Sequence, residues 1–248
     1  AALRAFAQTN GFTVSGLYPN RLVLDVAASV ADIERAFHLT LRVYQHPRQA
    51  RTFYAPDTEP SVDSAVPLLD ISGLSDYGRP HPLVRPSQVS NLGAVAAPRS
   101  GSGSGGTYLG KDFRAAYARG VVLTGTGQTV GLLQFDSYYA NDITSYENQA
   151  GLPNVPLQNV LLDGYNGTPT SGANSGSIEV SLDIEMAISM APGLSKVIIY
   201  EAGPSGIPND ILNRMANDNL AKQLSCSWGW TGGPTSTMDQ IFQQMDAQ

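Results

Sequence analysis

The stretch that decides the fold class is "GSIEVSLDIEMAISMAPG", from Gly176 to Gly193, together with the run "KVIIYEA" that begins at Lys196. The first piece is typical of an apolar helix, and the second of a continuous apolar strand. Three more apolar runs, each separated from the next by a helical segment, are "QTVGLLQF", "LQNVLLDG" and "KQLSCSW". Continuous apolar strands that alternate with helices indicate a parallel sheet covered on both faces. We therefore predict an α/β domain over residues 107–248.

The first third of the chain has a different rhythm. It predicts a helix near residues 1–9, then strand pairs placed around a second helix that begins at Ser29. Helices and strand pairs that alternate within so few residues predict a small α+β sandwich of the split βαβ kind over residues 1–84. Residues 85–106 are rich in Pro, Ser and Gly and are predicted to be a linker. Because both ends of the sequence lie in helical patterns, we expect the chain to be part of a longer protein.

Composition narrows the possible functions. The 248 residues carry a formal net charge of −6 at pH 7, which argues against nucleic acid as a partner because phosphate binding needs clustered Lys and Arg. The longest apolar runs are too short to span a membrane, so no membrane partner is expected. The single cysteine, Cys226, excludes a disulfide framework and is predicted to lie in a buried strand. All three histidines precede residue 107, so the larger domain cannot contain a Ser-His-Asp triad.

Two carboxylates, Glu179 and Asp183, lie four residues apart in the apolar helix and therefore one turn apart on the same face. Two interpretations are open. In the first, the pair lies on a solvated face opposite Ile178 and Leu182, as acidic residues do on most helices. In the second, the face lines a cleft, because Met186 continues the same stripe. Burial and mutual repulsion would then raise the pKa of one carboxyl and make it a usable acid or base.

The same stretch resembles a known family. "IEVSLDIEMAISMAPG" resembles the Glu-x-x-x-Asp helix of the sedolisins, or serine-carboxyl peptidases, which joins the two acids to an Ala-Pro-Gly ending. "SCSWGW", from Ser225 to Trp230, is similar to the substrate-cleft strand of that family, and the first third of the chain resembles the activation domain of kumamolisin-type proenzymes. The resemblance implies a subtilisin-like catalytic domain, present in part, preceded by a partial ferredoxin-like prodomain. It also implies a secreted protein, or one of a lysosome-type acidic compartment.

The resemblance assigns roles to five residues. It implies that Glu179 is the general base and that Asp183 orients it and shares its proton. A glutamate can accept a serine proton in acid, where a histidine would already be protonated. Ser227, Trp228 and Gly229 match the stretch whose backbone pairs with an extended substrate peptide. We expect the two carboxyl groups to lie within hydrogen-bond reach of each other, beside that strand.

Other elements of the family pattern are not among these residues. The serine nucleophile, the oxyanion aspartate and the calcium ligands of the family are not found here, so calcium is implied only with ligands outside this chain. The partners implied are a protein or peptide substrate, the chain's own prodomain as inhibitor, and the remainder of the catalytic domain. Some relatives carry an acid where this sequence has Gln134, which can hydrogen-bond the pair but cannot share its proton.

Two alternatives to an acid peptidase zymogen remain. The first is a catalytically silent relative that acts as a binding or scaffold protein. The second is an acid glycosidase that uses the carboxylate pair as nucleophile and acid, although both groups would then lie on one helix instead of flanking a sugar.

The linker predicts how such a zymogen would be processed. An exposed Ser- and Gly-rich segment is open to cleavage, so we expect the processing site within residues 83–106. The hold of the prodomain is expected to weaken in acid as carboxylates protonate and lose their ion pairs with Arg79, Arg85 or Arg99.

Overall fold

The computed structural model describes residues 1–84, 100–172 and 175–248. The chain divides into two compact units. The first comprises residues 1–80, 207–219 and 230–248, and the second comprises residues 81–206 and 220–229. Each unit is made of segments that are not consecutive in the sequence. The domain boundaries predicted at residues 84 and 106 remain predictions.

The first unit begins with two helices and two antiparallel hairpins. These elements are α1 (Ala2–Thr9), β1 (Thr13–Leu17), β2 (Leu24–Ala27), α2 (Val30–Phe37), β3 (Leu41–Gln45) and β4 (Thr52–Pro56). Strand β1 pairs with β2, and β3 pairs with β4. The side chain of Ser29 accepts a hydrogen bond from the Asp32 backbone N–H and so caps α2. Phe6, Phe12 and Phe37 pack together in the core, with ring centroids 5.8 to 6.2 Å apart. The α+β composition predicted for residues 1–84 is confirmed.

The second unit is built on a parallel sheet. Its elements are β5 (His81–Pro82), α3 (Gly110–Tyr117), β6 (Thr129–Gln134), α4 (Ala140–Ala150), β7 (Leu157–Leu161), α5 (Ser177–Met190), β8 (Lys196–Glu201), β9 (Gln223–Ser225) and β10 (Trp228–Gly229). Four of these strands form the sheet in the order β7-β8-β6-β9, with every pairing parallel. The predicted α/β fold class is confirmed.

The apolar runs of the sequence form the buried centre of this sheet and the helix face that packs in the core. Val197, Ile198 and Ile199 of β8 are completely buried, since β8 has a strand on either side. Helix α5 buries Val180, Ile184 and Ile188, which recur every four residues along one face. The strand ends then place Gln134 of β6 directly opposite Glu201 of β8 in the register. This carboxyl edge of the sheet is where parallel α/β proteins usually carry their sites.

Two further helices, α6 (Pro208–Asp218) and α7 (Ser236–Asp246), belong to the first unit. Asn20 joins them to residues 1–80, since its side-chain amide donates to Asn213 Oδ1 at 2.6 Å and to Gln244 Oε1 at 2.7 Å. Asn209 Nδ2 likewise donates to Ser72 Oγ at 3.2 Å. The same Asn209 nitrogen also donates to Asp70 Oδ2 at 3.4 Å, so polar side chains hold α6 against residues 1–80.

Several expectations need correction or lie outside the described residues. Cys226 is exposed, not buried, and it directly follows β9, whose three residues are also exposed. Arg79 pairs with Asp76, three residues before it, at 2.7 Å, and not across an interface. Arg85 and Arg99 lie outside the described residues, as does most of the linker. No helix in the described parts of the chain has the length and apolar character that crossing a membrane requires.

Candidate active site

Helix α5 turns its acidic residues inward and some of its apolar residues outward. Glu179 is only 3% exposed, whereas Ile178 and Leu182 are 36% and 39% exposed. An ordinary surface helix shows the opposite arrangement. The solvated-face interpretation is therefore wrong for Glu179, and the carboxylates face the interior of the second unit.

Asp183 is held by two donors. Gln134 Nε2 donates to its Oδ2 at 2.8 Å, and Ser227 Oγ donates to its Oδ1 at 2.8 Å. The orientation of the Gln134 amide is fixed because Trp228 Nε1 donates to Gln134 Oε1 at 2.6 Å, and an indole nitrogen can only donate. Trp228, Gln134 and Asp183 thus form one directed chain of hydrogen bonds. Trp228 is 6% exposed, so its ring is packed in the interior while its nitrogen takes part in this chain of hydrogen bonds.

Glu179 has a different partner. Its Oε2 accepts a hydrogen bond of 2.5 Å from the backbone N–H of Val84. The expectation that the carboxyl groups of Glu179 and Asp183 lie within hydrogen-bond reach of each other stays a prediction. The two carboxylates still influence each other, since the charge of Asp183 is one of the factors that raise the pKa of Glu179.

Burial is the main cause of the pKa shifts in the pair. It raises the pKa of Glu179, assisted by the charge of Asp183 and opposed by the backbone N–H groups of Val84 and Leu83. Burial also raises the pKa of Asp183, opposed by the donors Gln134 and Ser227. Both carboxyls therefore hold a proton at higher pH than exposed ones do, and such a site can exchange a proton in acid.

Strand β10, which lies beside the carboxylate pair, is paired with another segment of the same chain. Strand β5 pairs antiparallel with β10, so that His81 lies opposite Gly229 and Pro82 opposite Trp228. The N–H of Leu83 continues the pairing with a hydrogen bond of 3.3 Å to the Ser227 carbonyl oxygen. Gly229 permits this close approach, because a Cβ there would lie 3.0 Å from His81 Nε2. Ser227, Trp228 and Gly229 thus contact an extended peptide backbone.

A second acidic cluster was not predicted from the sequence. Glu201 is completely buried at the end of β8, and neither of its carboxylate oxygens has a hydrogen-bond partner. Burial and the charge of Asp136 raise its pKa to about 7, against the effect of the nearby Ser137 hydroxyl. Asp136 itself accepts hydrogen bonds from the Thr170 N–H at 2.9 Å and the Tyr165 hydroxyl at 3.2 Å. The burial of Glu201 could not be predicted from "KVIIYEA", because nothing in that run shows whether its glutamate is buried.

In residues 1–84, 100–172 and 175–248, no group of three or more His, Cys, Asp and Glu side chains is placed to hold a metal ion. Calcium with ligands outside this chain stays a prediction.

Comparison with known proteins supports the sequence resemblance. The family described as "Pro-kumamolisin, activation domain" matches residues 1–75. Kumamolisin of Bacillus sp. (strain MN-32) is 27% identical over 254 residues, covering 98% of this chain and 45% of that protein. Sedolisin of Pseudomonas sp. (strain 101) is 25% identical over 260 residues, covering 100% of this chain and 43% of that protein. The chain thus spans a little under half the length of these curated relatives.

A solved structure is also similar. It is Pseudomonas sedolisin, a serine-carboxyl proteinase, complexed with two molecules of pseudo-iodotyrostatin. It has a TM-score of 0.49 and 24% identity, covering 56% of this chain and 41% of that one.

Proposed function

Because the chain is related along its length to the sedolisins, with a kumamolisin-type activation domain at its start, we propose that it is part of an acid-active serine-carboxyl peptidase zymogen. Its reaction is the hydrolysis of peptide bonds by a Ser-Glu-Asp triad, of which Glu179 and Asp183 lie in this chain. The observation that carries the proposal is a buried carboxylate, Glu179, whose oxygen contacts the backbone of an extended peptide segment.

Glu179 acts as the general base and then as the general acid. It accepts the proton of a serine nucleophile supplied by the remainder of the catalytic domain, and it returns that proton to the leaving amine. The hydrogen bonds from Gln134 and Ser227 favour the charged form of Asp183, and that charge raises the pKa of Glu179 and so makes it a stronger base. Gln134 is a positioning residue, since it touches Asp183 and Trp228 and not the peptide.

Residues 227–229 bind the substrate through its backbone. Pairing of an extended peptide with a strand uses only main-chain donors and acceptors, so it accepts many sequences. In the zymogen this strand is taken by β5, so the prodomain inhibits in part through the chain segment that follows it. A protein or peptide is therefore the substrate class.

Three features of the working protein are proposed from the family alone. Calcium binds through ligands outside this chain, the remainder of the catalytic domain is a required partner, and the protein is secreted or resides in a lysosome-type acidic compartment. Whether it cleaves within chains or releases tripeptides depends on parts of the cleft beyond the described residues.

The test is a pair of variants on the same helix in the full-length protein. Glu179→Gln should lower acid hydrolysis of an unstructured protein such as casein by about 10²- to 10⁴-fold, the usual loss when a base is removed. Glu185→Gln is the matched control, because Glu185 also lies on α5 but faces Asp142 of α4. A full-length protein that hydrolyses no peptide in acid would favour the silent binding or scaffold protein, and hydrolysis unaffected by Glu179→Gln would refute the assignment of the base.

A further inference from the structure

The contact between Glu179 and the chain itself identifies one peptide bond. Each residue of β5 is placed in register against β10: His81 opposite Gly229, then Pro82 opposite Trp228. The hydrogen bond from the Leu83 N–H to the Ser227 carbonyl oxygen is the last bond of this ladder. The next backbone nitrogen, that of Val84, leaves the strand and donates to Glu179 Oε2 at 2.5 Å.

Peptide hydrolysis places a requirement on the nitrogen of the bond that breaks, and the Val84 nitrogen meets it. A peptide bond breaks only if its nitrogen gains a proton, and the acid that supplies the proton must lie within hydrogen-bond reach of that nitrogen. The N–H of Leu83 also faces Glu179, but its hydrogen bond runs to the strand.

From this geometry we infer that the segment His81–Val84 is bound as a substrate and that Leu83–Val84 is the bond that the protein cleaves in its own chain. The inference rests on the proposed function and narrows its processing site from residues 83–106 to one bond. Leu83 lies on the acyl side and Val84 on the amine side. The Leu83 side chain is 58% exposed among the described residues, so the register of the backbone, more than a side-chain pocket in this chain, selects the bond.

The balanced reaction consumes one water molecule. A serine hydroxyl oxygen from the remainder of the catalytic domain forms a bond to the Leu83 carbonyl carbon, and Glu179 takes its proton. The Leu83 C–Val84 N bond breaks, and Glu179 gives that proton to Val84 N, which leaves as a free amine. Water then hydrolyses the Leu83 ester, which restores the serine and leaves a Leu83 carboxylate and a new N-terminus at Val84.

The experiment is an acid-shift time course on the full-length protein. The zymogen is moved from about pH 7 to about pH 4, where carboxyls with pKa values near 4 begin to protonate, and the first products are identified by intact-mass spectrometry and N-terminal sequencing. We expect fragments that end at Leu83 and begin at Val84.

Two variants at the same position sharpen the result. Val84→Pro removes the N–H that Glu179 accepts, and it suits the chain because a residue before proline prefers the extended conformation that Leu83 has in the pairing. Cleavage at this bond should fall by about 100-fold or more. Val84→Ala keeps the N–H and should be cleaved like the parent. A synthetic peptide covering residues 75–88, added to the processed enzyme, should be cut at the same bond.

The outcomes separate this inference from the proposed function. If the protein is an acid peptidase that depends on Glu179 but its first products retain an intact Leu83–Val84 bond, the inference is wrong and the function stands. If Val84→Pro is cut at this bond as fast as Val84→Ala, the inference is equally wrong. If no acid-dependent hydrolysis occurs with any substrate, the proposed function fails, and this inference fails with it.

Discussion

Replacing Glu201 with glutamine should make the unfolding free energy of this protein less dependent on pH. Glu201 is completely buried, its two carboxylate oxygens lack hydrogen-bond partners, and burial together with Asp136 raises its pKa from 4.5 to about 7. Tyr138 and Tyr165 also face this group; burial raises the pKa values of both hydroxyls, and the charge of Glu201 adds to that effect. The folded protein therefore keeps a proton on Glu201 that the unfolded chain has already lost at neutral pH.

The sign and size of the effect follow from proton linkage. Between pH 4.5 and about 7 the folded state binds more protons at Glu201 than the unfolded state, so stability is full below that window and is lost as the pH rises through it. Each pKa unit corresponds to about 1.4 kcal/mol, so the total loss from this one group is about 3 kcal/mol. Glutamine has the shape of the protonated acid but does not titrate. The variant should therefore gain about 3 kcal/mol relative to the parent between about pH 4 and about pH 8.

The assay is urea unfolding of the full-length protein at a series of pH values. The parent and the Glu201→Gln variant both carry Glu179→Gln, so that the proposed self-digestion does not interfere. The quantity of interest is the difference between the two unfolding free energies at each pH, because contributions from other titrating groups cancel in it. Glu59→Gln, on an exposed loop, controls for the change in net charge. Two stability curves that stay parallel from acid to neutral pH would refute the reasoning.

Two other predictions follow from contacts of single side chains. Gln134→Leu removes a donor to Asp183 and should raise the pKa of that carboxyl further, so the acid limb of a kcat/KM profile should move to higher pH; an unchanged limb would contradict the positioning role. Asn20→Ala removes three hydrogen bonds, two donated to Asn213 and Gln244 and one accepted from the Leu22 backbone N–H, and should lower the unfolding free energy by about 3 kcal/mol, at about 1 kcal/mol each. Thermal unfolding measures that loss, and a melting temperature equal to that of the parent would show that the bonds contribute nothing.

The elements of the sheet could be predicted from the sequence because burial on both faces leaves a local mark. A strand such as β8, which has another strand on either side, is buried over most of its length. Its run of consecutive apolar residues can therefore be recognised without knowing which strands it pairs with. The spacing of Glu179 and Asp183 is equally local, since four residues make one helical turn. Both predictions used information carried by consecutive residues.

The features that could not be predicted from the sequence depend on contacts between residues that are far apart in the chain. The burial of Glu201 follows from the register that sets it beside Gln134, and no local pattern encodes that register. Cys226 is exposed and directly follows β9, a strand that among the described residues pairs on one side only. The pairing of His81 with Gly229 is made by backbone groups, which every residue except proline carries in full. A donor common to nearly all residues leaves no signature in a sequence.

In the zymogen that we propose, the pairing of β5 with β10 has a consequence for how long inhibition lasts. While the chain is intact, the segment in the cleft is a tethered ligand, so its occupancy is set by the length of the tether and does not change when the protein is diluted. Once a bond in the segment is cut, the prodomain becomes a separate molecule whose binding obeys mass action, and dilution alone lowers its occupancy. Zymogens stored at high concentration and then released into a large volume would pass from the first regime to the second through one chemical event. Breaking a single bond would thus convert a concentration-independent inhibitor into one that dilution removes.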